Sequence, residues 1–173
     1  RGDTMRFQDW PECGTKAQNR PIGDEGMIPF CVQCQRPLFD YFSTCVLSVV
    51  RNPKGELALI RQSYGESNRL AHYVGVAGYM KCGETAEEAA IREISEEIGL
   101  TPASARYMMS VWYEKRDQLM LCFCADLAED AEFCCSGEVA EAKWFSPEEA
   151  QQAVRQGSII HRLVAAVIAE GGV

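Results

Sequence analysis

No stretch of this 173-residue chain is apolar for long enough to cross a bilayer. No charged segment followed by an apolar run opens it either, so neither a membrane span nor a secretory leader is expected. Internal repeats and low-complexity tracts are also missing. Positive charge is in short supply: 17 Lys and Arg face 25 Asp and Glu, a formal net charge of -8. A protein that coats nucleic acid needs a basic surface, so that class is disfavoured. An acidic enzyme acting on a pyrophosphate would instead need a cation as mediator. Cysteine is abundant, at nine residues. Without a leader, the expectation is a cytoplasmic protein whose thiols are reduced or ligate metal rather than bridge. An apolar share of 47% suits one domain-sized chain with a sizeable core and a small appendage. Arg1 to Thr4, ahead of Met5, read as a tag remnant and are set aside.

The stretch from Gly78 to Leu100, GYMKCGETAEEAAIREISEEIGL, organises the rest. Thr85 is placed to cap a helix whose first turn carries Glu87 and Glu88, where the dipole favours negative charge. Ala89, Ala90, Ile91, Ile94 and Ile98 recur at helical spacing, and Gly99 is a left-handed stop. Glu93, Glu96 and Glu97 then project from one side of the helix at i, i+3 and i+4. Three carboxylates so close repel one another. Either they form a solvated acidic face, or they seat a hard divalent cation, Mg²⁺ above all, which also holds substrate phosphates.

Gly78, Glu84, Arg92-Glu93, Glu96-Glu97 and Gly99 fall in the spacing of the Nudix box, and the chain resembles the Nudix hydrolases. The resemblance implies cleavage of a nucleoside diphosphate linked to another moiety, with Mg²⁺ or Mn²⁺. It implies that Glu93 and Glu97 bind catalytic metal and that Glu96 shares in metal binding or acts as base. Arg92 would orient the carboxylates and Glu84 would support that network. The implied fold class is α/β: an α/β/α sandwich with a mixed sheet, spanning 41–173, preceded by a zinc-ribbon-like segment over 5–40.

In that first segment Cys31 and Cys34 form a Cys-x-x-Cys pair, and Cys13 lies upstream. A zinc ribbon needs two such knuckles and four ligands. The segment is similar to the ribbon of NADH pyrophosphatases, except that Trp10 stands where their first cysteine would be. Zn²⁺ on Cys13, Cys31 and Cys34 would need Asp9, water or another side chain as fourth ligand. The alternative is a ribbon that keeps its turns without metal and packs Trp10 in place of the ion.

Further along, residues 44–50 and 56–62 read as strands around the Asn52-Pro53-Lys54-Gly55 turn, and 72–77 as a strand entering the box. Two more strands are expected either side of Arg116-Asp117, with Cys122 and Cys124 as core thiols. A strand at 140–145, a helix capped by Ser146 and a helix over about 158–170 complete the α/β pattern.

The likeness to NADH pyrophosphatases runs from Pro11 onward. It implies metal ligation by Glu138 and by the Ala77 carbonyl and nucleotide contact by Phe39, and it sets Tyr79, at the family's Ala-Gly-Phe entry to the box, as a further substrate contact. Phe39 reads equally as a hydrophobic plug. Their Ser-Gln-Pro-Trp-Pro-Phe-Pro signature is replaced here by residues 110–116, of which only Ser110 and the aromatic Tyr113 agree. In that stretch Lys115 and Arg116 can meet a phosphate and Trp112 or Tyr113 can stack on a base, or all of them stand as plain loop residues. The expected activity is metal-assisted hydrolysis of NAD(H), ADP-ribose or a similar dinucleotide or ADP-sugar. Rivals are a nucleoside triphosphate house-cleaning enzyme, a hydrolase removing NAD caps from RNA, and a non-catalytic nucleotide sensor. A small-molecule nucleotide is the expected partner, and the resemblance leaves room for a homodimer.

Overall fold

A computed structural model describes residues 9–39, 41–64 and 72–171. The chain divides into two compact units, with the boundary between Phe42 and Ser43.

The N-terminal unit is built from tight local reversals. Strands β1 (Gln18–Pro21), β2 (Met27–Cys31) and β3 (Arg36–Pro37) pair antiparallel in that order. Two knuckles of matching geometry accompany them. In one, the Gly14 N–H donates to the Trp10 carbonyl at 2.8 Å; in the other, the Gln35 N–H donates to the Cys31 carbonyl at 2.9 Å. The donating residue has positive φ in both cases, 67° at Gly14 and 56° at Gln35. Trp10, Cys31 and Leu38 form the buried centre, with Cys13 and Cys34 packed against it.

The second unit is organised on β4 (Ser43–Arg51), which is buried along most of its length. After it come β5 (Leu57–Gln62), β6 (Val76–Tyr79), helix α1 (Ala86–Ile98), β7 (Ala105–Tyr113), β8 (Gln118–Asp126), β9 (Val139–Phe145), α2 (Pro147–Ala153) and α3 (Ile159–Gly171). The sheet order is β7-β8-β4-β5-β9, with β6 also on β4. Among the described strands only β4 and β8 pair in parallel, so the sheet is mixed. Strand alternation sorts β4 between two cores. Cys45, Leu47 and Val49 pack with residues of α2 and α3, including Ala150, Leu163 and Val164. Val46 and Val50 pack with Ala89, Ala90, Ile94 and Ile98 of α1. The result is an α/β/α sandwich.

The edge of β4 forks. Its last two residues pair with β5 across the Asn52–Gly55 turn, where the Asn52 side chain accepts the N–H groups of Lys54 and Glu56. Its earlier half pairs with β6, from Cys45↔Tyr79 to Ser48↔Val76. The strand expected over 72–77 is accordingly displaced to Val76–Tyr79. Upstream, Val74 bridges Ile60 and Tyr73 bridges Val154, so those two residues serve other neighbours. Between β7 and β8, residues 114–116 form a short 3-10 turn ended by Asp117 at φ 49°. Among the described residues no helix is long and apolar enough to cross a membrane.

Candidate active site

Helix α1 starts and stops on local signals. The Thr85 hydroxyl accepts from the Glu88 N–H at 3.3 Å, and the Glu88 carboxylate accepts from the Thr85 N–H at 2.8 Å, a reciprocal box. Gly99 ends the helix at φ 71°, its N–H donating to the Ser95 carbonyl. The apolar side is buried against the sheet, which turns Arg92, Glu93, Glu96 and Glu97 toward the end of β6.

Arg92 ties the acidic groups together. Its Nε and Nη2 grip both oxygens of Glu84 at 2.9 and 2.7 Å. Nη1 reaches Glu93 at 2.6 Å and Glu96 at 3.0 Å, and Nη2 also donates to the Tyr79 carbonyl at 3.1 Å. A planar guanidinium with five donors suits such a junction, whereas an ammonium could not span it. Glu84 is held down to about 2, first by Arg92 and then by the Lys81 backbone N–H. Gly78 explains itself in this setting: a Cβ there would lie 2.0 Å from the Glu93 carboxyl carbon. The Glu93 carboxylate occupies the space that any side chain at position 78 would need.

The three helical carboxylates are not equivalent. Glu96 is about half exposed, while Glu97 is only 8% exposed. Burial first, and then the charges of Glu93 and Glu138, lift the Glu97 carboxyl to about 7, against a hydrogen bond with the Ala77 backbone. Arg92 pairs with Glu84, Glu93 and Glu96 and leaves Glu97 to its acidic neighbours. The Ser136 N–H donates to the Glu97 carbonyl at 2.9 Å, which anchors the loop that presents Glu138. An acidic, all-oxygen donor set with one buried member fits a hard divalent cation.

Over residues 42–164 the chain matches the NUDIX domain model. The chain belongs to the Nudix family.

Among relatives, it is 28% identical over 163 residues to the NAD-capped RNA hydrolase NudC of Edwardsiella ictaluri, across 94% of this chain and 62% of that one. The NAD-capped RNA hydrolase ndx-9 of Caenorhabditis elegans is 31% identical over 153 residues, covering 86% of this chain and 39% of the relative. The chain thus spans about three fifths or less of these curated relatives. A NUDIX hydrolase from Nitrosomonas europaea superposes with TM-score 0.66 at 19% identity, over 95% of this chain and 92% of that one. The NUDIX domain of Shewanella oneidensis NrtR, complexed with ADP ribose, gives 0.64 at 14% identity, over 82% and 93%. At these identities the structural matches speak for the fold.

The other expected residues lie on other elements of the chain. Tyr79 is exposed at the end of β6, next to the box loop. Tyr113 is half-buried at the end of β7 and packs against the α2/α3 core, while Lys115 is exposed on the 3-10 turn. Phe39 is exposed and belongs to the N-terminal unit. Sequence reasoning missed Tyr64, whose hydroxyl lies 3.5 Å from Glu138. It also missed Gln118, buried at the start of β8 and donating to Cys45 Sγ at 3.2 Å. Tyr64 follows β5 in a polar stretch without periodicity, so no local signal marks it. Arg116 acts electrostatically on Cys45 and Tyr64, as Glu93 does on the first and Glu97 and Glu138 do on the second. In the N-terminal unit, the sulfurs of Cys13, Cys31 and Cys34 all lie within 4.8 Å of one another.

Proposed function

We propose that this Nudix domain hydrolyses the pyrophosphate bond of a nucleoside diphosphate derivative, with NAD(H), ADP-ribose or a related dinucleotide or ADP-sugar as substrate class. The observation that carries the reading is Glu97: a nearly buried carboxylate set against Glu93 and Glu138, beside a guanidinium already committed to other partners. Mg²⁺ or Mn²⁺, held by Glu93, Glu97, Glu138 and the Ala77 carbonyl, would neutralise the diphosphate and polarise its bridging linkage.

The chain's own groups divide the remaining work. Glu84 anchors Arg92, and Arg92 fixes the Glu93 and Glu96 carboxylates by its planar fork. Gly78 leaves Glu93 the room to sit there. Glu96, exposed on the solvent side, accepts the proton of the attacking water. Tyr79 and Tyr113 contact the nucleotide and Lys115 meets a phosphate, all within a hydrolase domain spanning 41–173.

The test is a Mg²⁺-dependent screen of NADH, NAD, ADP-ribose, diadenosine polyphosphates and nucleoside triphosphates, with product masses measured. Cleavage within a diphosphate, lost in a folded Glu97→Gln protein, supports the assignment. Full turnover by that variant, or no hydrolysis of any substrate by the parent, removes it. The names of the two curated relatives favour one second reading, removal of NAD caps from RNA. The net charge of -8 opposes an RNA substrate, so an NAD-capped oligonucleotide turned over faster than free NAD would decide for the cap.

A further inference from the structure

The two knuckles of the N-terminal unit superimpose by their hydrogen bonds, and this fixes which positions correspond. Trp10 accepts the Gly14 N–H as Cys31 accepts the Gln35 N–H, so Trp10 stands at the first-ligand position of its knuckle and Cys13 corresponds to Cys34. A structural zinc site is closed by four ligands. Here the fourth corner holds an indole, which cannot ligate, 3% exposed and packed in one cluster with Cys13, Cys31 and Cys34. Its Nε1–H is buried without a partner among the described residues. Asp9, beside Trp10, and Glu12, beside Cys13 and paired with Arg36, are both exposed and lie outside the group of donor atoms that close within 4.8 Å. The residues therefore do not fit a tetrahedral zinc ribbon.

What they do fit is a lower coordination number. Cys13 Sγ lies 3.5 Å from Cys31 Sγ, and the Cys34 N–H donates to Cys31 Sγ at 3.2 Å. Three thiolates bound at about 2.3 Å around a trigonal ion would stand roughly 4 Å apart, within the observed spacing of up to 4.8 Å. Soft sulfur donors select soft cations, cuprous ion among them. We propose that the N-terminal unit is a three-thiolate site for a thiophilic, three-coordinate cation of the Cu(I) class. Trp10 occupies the corner where zinc would take its fourth ligand and keeps water out of it.

The test uses the full chain, reduced and titrated anaerobically with Cu(I) or with Zn²⁺, with stoichiometry and X-ray absorption as readouts. The expected result is one Cu(I) surrounded by three sulfurs with no lighter fourth atom, lost in Cys31→Ser. Trp10→Cys should complete a four-thiolate site and raise Zn²⁺ affinity by roughly 100-fold, since each of four ligands carries about a quarter of a structural zinc site's binding free energy. That variant keeps the test informative should Cys31→Ser fail to fold. Four-coordinate zinc in the parent chain, with an oxygen or nitrogen as fourth ligand, would overturn the proposal. So would Cu(I) uptake unchanged in Cys31→Ser, or a Zn²⁺ affinity unmoved by Trp10→Cys. Nucleotide hydrolysis is read separately and bears only on the Nudix site.

Discussion

Removing the charge of Glu97 should stabilise the metal-free protein. Burial and the neighbouring carboxylates hold this carboxyl at about 7 instead of 4.5, so its ionised form is disfavoured by roughly 3 kcal/mol, at about 1.4 kcal/mol per pH unit. The sign follows from proton binding. Below pH 4.5 the group is protonated both folded and unfolded, and nothing is lost. Between there and about 7 the folded state binds more protons, so stability falls as pH rises, and above that range the whole penalty applies. Glu97→Gln removes a charge but keeps an oxygen for the Ala77 contact. In chelator at pH 8.5 it should melt above the parent by on the order of 10 °C, and the gap should close toward pH 5. Mg²⁺ at a thousand times its Kd should reverse the order, because it then adds about 4.1 kcal/mol to the protein that binds it. The assay is thermal melting of both proteins across pH, with chelator or with Mg²⁺. A variant that melts below the parent in chelator at pH 8.5, or a gap independent of pH, would refute the argument.

Gly78→Ala should fold yet lose about 100-fold in kcat, since its Cβ would displace the Glu93 carboxylate from a position 2.0 Å away; circular dichroism and steady-state kinetics check both parts. Arg92→Lys should lower kcat by at least 10-fold even though charge is kept, because one ammonium cannot serve Glu84, Glu93, Glu96 and the Tyr79 carbonyl together. Gly99→Ala should destabilise the fold by more than about 1 kcal/mol, measured by urea unfolding. Its backbone is at φ 71°, and a Cβ would fall 2.7 Å from that of Cys134.

How legible the molecule was depended on how local each feature is. The capping box at Thr85, the stop at Gly99 and the Ser146 cap rest on hydrogen bonds within five residues, and sequence spacing finds them. The continuous apolar run of β4 and the alternation of β8 likewise mark Cys45, Cys122 and Cys124 as interior. The strand entering the box was misplaced because Tyr73 and Val74 bridge a helix end and β5 before pairing with β4 begins at Val76. No nearby residue announces either partner.

By itself the order of residues determined that three glutamates share one side of a capped helix, because helical periodicity is a property of the backbone. It also determined that Trp10 interrupts a pattern of paired cysteines. Only the tertiary structure decided that Glu97 is the buried carboxylate and Glu96 the open one. It alone showed Gly78 to be the floor under Glu93, and Trp10 to close over three converged sulfurs. Burial, charge proximity and steric room are set by segments far apart in the chain, and they come into being only when those segments pack.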